Sequence, residues 1–194
     1  MSKEKTGFWN RVKQNVKNLT SILGGDKSKR PLGLPAPSVQ KYELTNETFD
    51  IQTGTKPITL HRIRAVKDFT WQHPFEKPFV IRKGDLGGFV EKRENLSEDH
   101  NAWVAENAMV YGDAVVKDNA LVRGQASISG YAMIAGNALV KDLVVIKDFA
   151  KVSGSAVVFE AITVEDNSII RNNVYVRGSE RVRINKESRH QLIE

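Results

Sequence analysis

From Asn101 to Ile184 the chain repeats one arrangement of apolar and polar positions every six residues: NAWVAE, NAMVYG, DAVVKD, NALVRG and onward to SERVRI. Fourteen such hexads follow one another without insertion. The fourth place is Val or Ile in all fourteen, from Val104 to Val182, and the second is Ala in nine, from Ala102 to Ala156. The sixth is Gly, Asp or Asn in eleven, among them Gly112, Asp118, Gly124 and Asn172. A period of two marks a half-buried strand and one of 3.6 an amphipathic helix. A strict six fits neither, and predicts short strands separated by bends. β-Branched side chains suit an inward position on a pleated strand. The small Ala two places earlier also points inward, at a corner with room for little else. Gly, Asp and Asn supply the bend, in part at positive φ. A helical solenoid needs about 33 or more residues per repeat, so the pattern specifies a β-solenoid.

The pattern Val-x-x-x-Ala-x, as in Val104–Ala108 and Val110–Ala114, resembles the hexapeptide repeat of left-handed parallel β-helices. The resemblance covers Asn101 to Ile184. It implies an all-β fold in which three hexads make a triangular coil of about 18 residues. The stretch GDLGGFVEKRENLSEDHNAWV (Gly84–Val104) is similar to the segment leading into the repeat in phage- and prophage-encoded hexapeptide proteins. Proteins of that type are often labelled acyltransferases by analogy of fold. Enzymes of the class use a histidine base, beside a loop that interrupts the coils and covers the CoA-linked acyl donor at a subunit boundary. This chain departs on both points: its hexads are uninterrupted, and His61, His73, His100 and His190 all lie outside them. His100, at the entrance to the first regular coil, is the one positional candidate for a catalytic base. A base also needs an orienting partner and a substrate pocket, so the competing reading of His100 is an exposed turn residue. The sequence therefore points to a non-catalytic structural or interaction protein, with a hexapeptide-class acyltransferase as the alternative.

The hexad's third place lies between the inward Ala and the inward Val and so faces outward. With 18 residues per coil, Trp103, Leu121, Leu139, Val157 and Tyr175 stack into an apolar ladder. A stripe of that kind implies burial against something. Three covers compete: a homotrimer, which the resemblance implies, the N-terminal helix, and a foreign protein.

Residues 41–100 read as an N-terminal β cap over the open end of the solenoid. Ile58–Val66 alternates as a strand with Ile58, Leu60 and Ile63 on apolar faces, and Lys41–Leu44 and Phe79–Arg82 are weaker strands. Gly84, Gly87 and Gly88 mark turns, and Phe89, Val90 and Leu96 start a first, irregular coil. Residues 185–194 form a C-terminal cap, with Asn185 capping a short helix over Lys186–Ile193. Residues 1–25 carry a basic amphipathic helix, in which Phe8, Trp9, Val12, Val16 and Leu19 recur at three- and four-residue spacing before Gly24-Gly25. Residues 26–40, with three prolines, form an extended tether.

Charge sharpens this division. Residues 1–40 hold eight Lys/Arg and two acids, so the whole net charge of +6 belongs to them, and residues 41–194 carry 21 of each sign. A protein partner or a membrane surface is accordingly sought first at residues 1–40. A second basic group (Arg171, Arg177, Arg181, Arg183, Lys186, Arg189) is diluted by Glu180 and Glu187 and has few aromatics for base stacking, which argues against nucleic acid. Without cysteine there is no disulfide scaffold, thiolate metal site or thiol catalysis. Four scattered histidines do not make a zinc triad, and no phosphate-loop or nucleophile-elbow motif is present. No cofactor or metal is expected, and the expected location is the cytoplasm or a virion.

Overall fold

The computed structural model describes residues 40–54 and 56–179, together with the backbone of strands Arg181–Val182, Asn185–Glu187 and Leu192–Ile193. The expected N-terminal helix, the tether and Phe8, Trp9, Val12, Val16 and Leu19 lie outside these residues.

From Trp103 each hexad contributes a short strand built on its third and fourth places. Each strand pairs in parallel with the one 18 residues on: Trp103 with Leu121, Ser127 with Met109, Met133 with Val115. Three parallel sheets result, one on each side of the coil and about five coils deep. The chain is thus a parallel β-solenoid, as the period of six requires. The fourth-place Val and Ile residues from Val104 to Val176 fill the interior, and the second-place alanines from Ala102 to Ala156 are fully enclosed beside them.

Sixth places make the corners. Every one from Glu106 to Gly178 has positive φ, non-glycine residues included, and His100 joins the series at 54°. Glycine adopts this geometry freely, whereas a side chain there carries strain. Several acidic residues offset it by reaching the next coil. Glu106 accepts the Gly124 N–H at 2.7 Å, Asp118 that of Gly136 at 3.0 Å, and Asp148 that of Asp166 at 3.1 Å.

The cap consists of β1 (Tyr42–Gln52), β2 (Pro57–Ala65), β3 (Phe69–His73), β4 (Glu76–Ile81) and β5 (Leu86–Val90). β1, β2 and β5 run antiparallel, and β5 then pairs in parallel with Met109–Val110, so the cap prolongs one solenoid sheet to eight strands. Leu60 and Ile63 are buried as expected, while Ile58 is only partly covered. The outer edge, β1, is interrupted by a register shift between Leu44 and Thr48 and carries Glu43 and Glu47. A bulged, charged edge is a poor template for adding another strand.

Two glycines differ from expectation. Gly84, with φ of +95°, is a turn residue, but Gly87 and Gly88 lie inside β5. A Cβ on Gly88 would stand 2.4 Å from the Ala108 carbonyl oxygen, and one on Gly87 would stand 2.5 Å from Ile63. Close packing of cap on coil, not a bend, demands glycine here. Arg62 pins the same junction, donating to the Gly87 and Glu106 carbonyls while its guanidinium lies 4.2 Å from the Phe89 ring centroid.

The irregular first coil begins where the sequence places it: Phe89 and Val90 pair with Met109 and Val110, and Leu96 bridges Val116. Buried Asn95, at the end of the 3₁₀ turn Arg93–Asn95, donates to the Gly112 and Ala114 carbonyls. Lys41 Nζ donates to the Ser97 carbonyl at 2.6 Å, and the Tyr42 hydroxyl sits 2.9 Å from both the Arg93 and Leu96 carbonyls.

At the far end the expected helix over Lys186–Ile193 is not formed. Asn185–Glu187 pairs with Ile169–Arg171, and Leu192–Ile193 pairs with Tyr175–Val176, extending the solenoid. Eight residues make a marginal helix in isolation, and the open edge of the preceding coil offers a full set of backbone partners.

Candidate functional site

The five ladder residues stack in register, Trp103 with Leu121, Leu121 with Leu139, Leu139 with Val157, and Val157 with Tyr175. They do not form the open stripe that their outward direction suggests. Trp103, Leu121, Leu139 and Val157 are buried, and Tyr175 is half-buried. The cover comes from the cap itself, because the β3–β4 hairpin lies along this face across the coils. Phe69 meets Trp103 edge-on at 5.4 Å, Trp71 Nε1 donates to the Asn119 carbonyl, and His73 reaches the Ser155 carbonyl, each step nearer the C-terminal end. On β4, Phe79 packs beside the ladder and stands 5.9 Å from the Arg123 guanidinium. The hairpin thus buries against its own chain the surface that the sequence offers to a second subunit, to the N-terminal helix or to a foreign protein.

Beside the hairpin's turn a cavity of about 380 Å³ opens along one corner of the solenoid. Gln72, His73 and Pro74 form its hairpin wall, and Asn101, Asn119 and Asn137 the other. These asparagines occupy the first hexad place 18 residues apart, so the register of the coils places them one above another. Asn119 Oδ1 accepts the Asn101 backbone N–H at 3.3 Å. Among the described residues no side-chain hydrogen bond holds the Asn137 or Gln72 carboxamide. None of the six lining residues is an acid, a lysine or an arginine.

His73 is the buried histidine of this wall. Its Nδ1 accepts the Phe75 backbone N–H at 3.2 Å, which leaves the proton on Nε2, 3.3 Å from the Ser155 carbonyl oxygen. The ring stacks on Trp71 at 5.5 Å and meets Phe75 edge-on at 5.8 Å. Burial holds its pKa below the ordinary histidine value, against an opposing effect of the Ser155 hydrogen bond. Neutral and engaged at both nitrogens, His73 positions the hairpin and has no lone pair free to take a proton.

His100 is exposed and lies outside the cavity lining. Its positive φ places it with the corner residues of the repeat, and among the described residues no hydrogen bond orients its ring. Among the described residues no group of three His, Asp or Glu is arranged to hold a metal ion, and no helix is long and apolar enough to cross a membrane. Away from the hairpin, Tyr131 and Phe149, also 18 residues apart, stack at 5.0 Å with their planes 4° from parallel, and both are more than half exposed.

Sequence reasoning missed the cavity because it followed the apolar third place. The signal was the recurrence of Asn at 101, 119 and 137 in the first place. No protein-family model matches this chain. No curated protein matches it either.

Proposed function

We propose that this chain is a non-catalytic structural and interaction protein of the hexapeptide-repeat, left-handed β-helix class, of phage or prophage type. The solenoid serves as a stiff support that assembles with copies of itself, as a trimer, or docks a protein partner through residues 1–40. The observation that carries this reading is the unbroken 18-residue register from Trp103 to Tyr175. No loop leaves the coils in that span to cover an acyl donor, and the buried histidine has both ring nitrogens engaged. With the Trp103–Tyr175 ladder under the hairpin, contacts between copies fall to the other faces, where the stacked pair Tyr131 and Phe149 is exposed.

Native mass spectrometry and titration with acetyl-CoA test the proposal together. A trimer that Phe149→Lys dissociates, with no heat of acetyl-CoA binding, is the expected result. A monomer at every accessible concentration overturns the assembly. Saturable acetyl-CoA binding, with acyl transfer lost in His100→Ala, overturns the non-catalytic reading in favour of an acyltransferase.

A further inference from the structure

The corner cavity has a composition that selects its occupant. A phosphate or carboxylate calls for lysine, arginine or a cluster of N–H donors, and a cation calls for carboxylates. Neither set is among the lining side chains, whose polar members besides the engaged His73 are the carboxamides of Gln72, Asn101, Asn119 and Asn137. A carboxamide offers two donors and an acceptor on one rigid plane. It therefore matches a group that both donates and accepts, which is what a hydroxyl does.

The carboxamides also recur at a fixed interval. Asn101, Asn119 and Asn137 belong to three successive coils, and adjacent strands of a sheet lie about 4.8 Å apart. A ligand with hydroxyls spread along its length can engage them in series. Pro74 adds an exposed, apolar ring at the rim for the C–H face of such a molecule. The volume of about 380 Å³ falls at the lower end of the roughly 300–1,000 Å³ of small-ligand sites.

We propose that the groove between the β3–β4 turn and the Asn101–Asn119–Asn137 ladder binds a neutral saccharide of one or two units, held by side-chain carboxamides. The hairpin builds the site as it seals the apolar ladder, because Trp71 and His73 anchor Gln72 between them. This inference is independent of the assembly proposed above, since a monomer contains every residue it uses.

Side-chain amide resonances in ¹H–¹⁵N NMR spectra of the full chain report on the site directly. Cellobiose and maltose serve as probes, with glucose 6-phosphate as the charged comparison. Saturable shifts of the Asn119 and Asn137 NH₂ signals are expected with at least one neutral disaccharide, with dissociation constants near ~1 mM. Asn137→Leu should weaken that binding about tenfold, the loss of one hydrogen bond of roughly 1.4 kcal/mol. Its carboxamide makes no side-chain hydrogen bond among the described residues, so an unchanged melting temperature is expected. Gln72→Ala, at an exposed position, should act in the same direction and separates site loss from misfolding. The proposal is overturned by the absence of saturable shifts with both disaccharides up to ~20 mM, by equal affinity in Asn137→Leu, or by tighter binding of the sugar phosphate.

Discussion

Replacing Trp71 with alanine should free the hairpin while leaving the coils intact. Trp71 is 1 % exposed, donates its indole N–H to the Asn119 carbonyl and stacks on His73. Truncating a buried Trp or Phe costs about 3–5 kcal/mol, a range that absorbs the lost hydrogen bond and ring contact. The fourth-place core beneath the hairpin is closed by its own coils, with Val122, Val140 and Val158 fully buried. The loss should therefore appear as local opening of residues 69–81 and not as global unfolding. At about 1.4 kcal/mol per factor of ten, amide exchange in β3 and β4 should accelerate by roughly 10²- to 4,000-fold. Amides facing away from the hairpin, such as Ser127 and Val145, should keep their protection. Hydrogen–deuterium exchange by mass spectrometry resolves the two regions. Unchanged exchange at 69–81, or equal acceleration throughout the solenoid, refutes the idea that the hairpin is a separable cover.

Two further outcomes follow from the cap. Burial lowers the Lys41 pKa from 10.5 to about 8, with Glu98 and Asp99 opposing the shift and Lys67 adding to it. From pH 8 upward the unfolded chain holds a proton that the native state has released, so stability rises with pH, by at most about 3 kcal/mol to pH 10. Above pH 10 stability falls, because burial raises the Tyr42 pKa and the unfolded phenol ionises first. Urea denaturation between pH 7 and 11 checks both limbs: Lys41→Met should abolish the rise, and a flat wild-type curve contradicts it. Gly88→Ala should destabilise the cap-to-coil junction by about 1–3 kcal/mol or more, because the new Cβ meets the Ala108 carbonyl at 2.4 Å. Thermal unfolding measures this, and a melting temperature within a degree of wild type would falsify the packing argument.

The solenoid was legible because its period is imposed by geometry: one side chain in six must fit the interior and one must turn a corner. The hairpin was legible only in part: Phe79–Arg82 reads as a weak strand and overlaps β4, while Pro74 and Pro78 obscure the rest. Prolines four residues apart read as loop, yet Pro74 sits in the turn and Pro78 in a two-stranded sheet, where every strand is an edge. Failing to see β3 left the apolar ladder without a visible cover and hid the corner cavity, since three of its lining residues belong to the hairpin. Gly87 and Gly88 read as turns for a related reason, because a sequence does not distinguish a glycine that bends from one that makes room. The C-terminal strands depend on the edge beneath them, and no local pattern at Asn185–Glu187 reports that edge.

The carboxylates at the corners have a direction. Glu106, Asp118, Asp142 and Asp148 each accept the N–H of the residue 18 positions later, never 18 earlier. Each finished coil thus presents acceptors to a coil that follows it in the chain. A ribosome delivers residues in that same order, so every newly emerged turn meets a completed template with its corner acceptors in place. That polarity favours growth one coil at a time, each on the coil before it, while the hairpin, whose Trp71 and His73 bond to Asn119 and Ser155, closes only after the coils it covers.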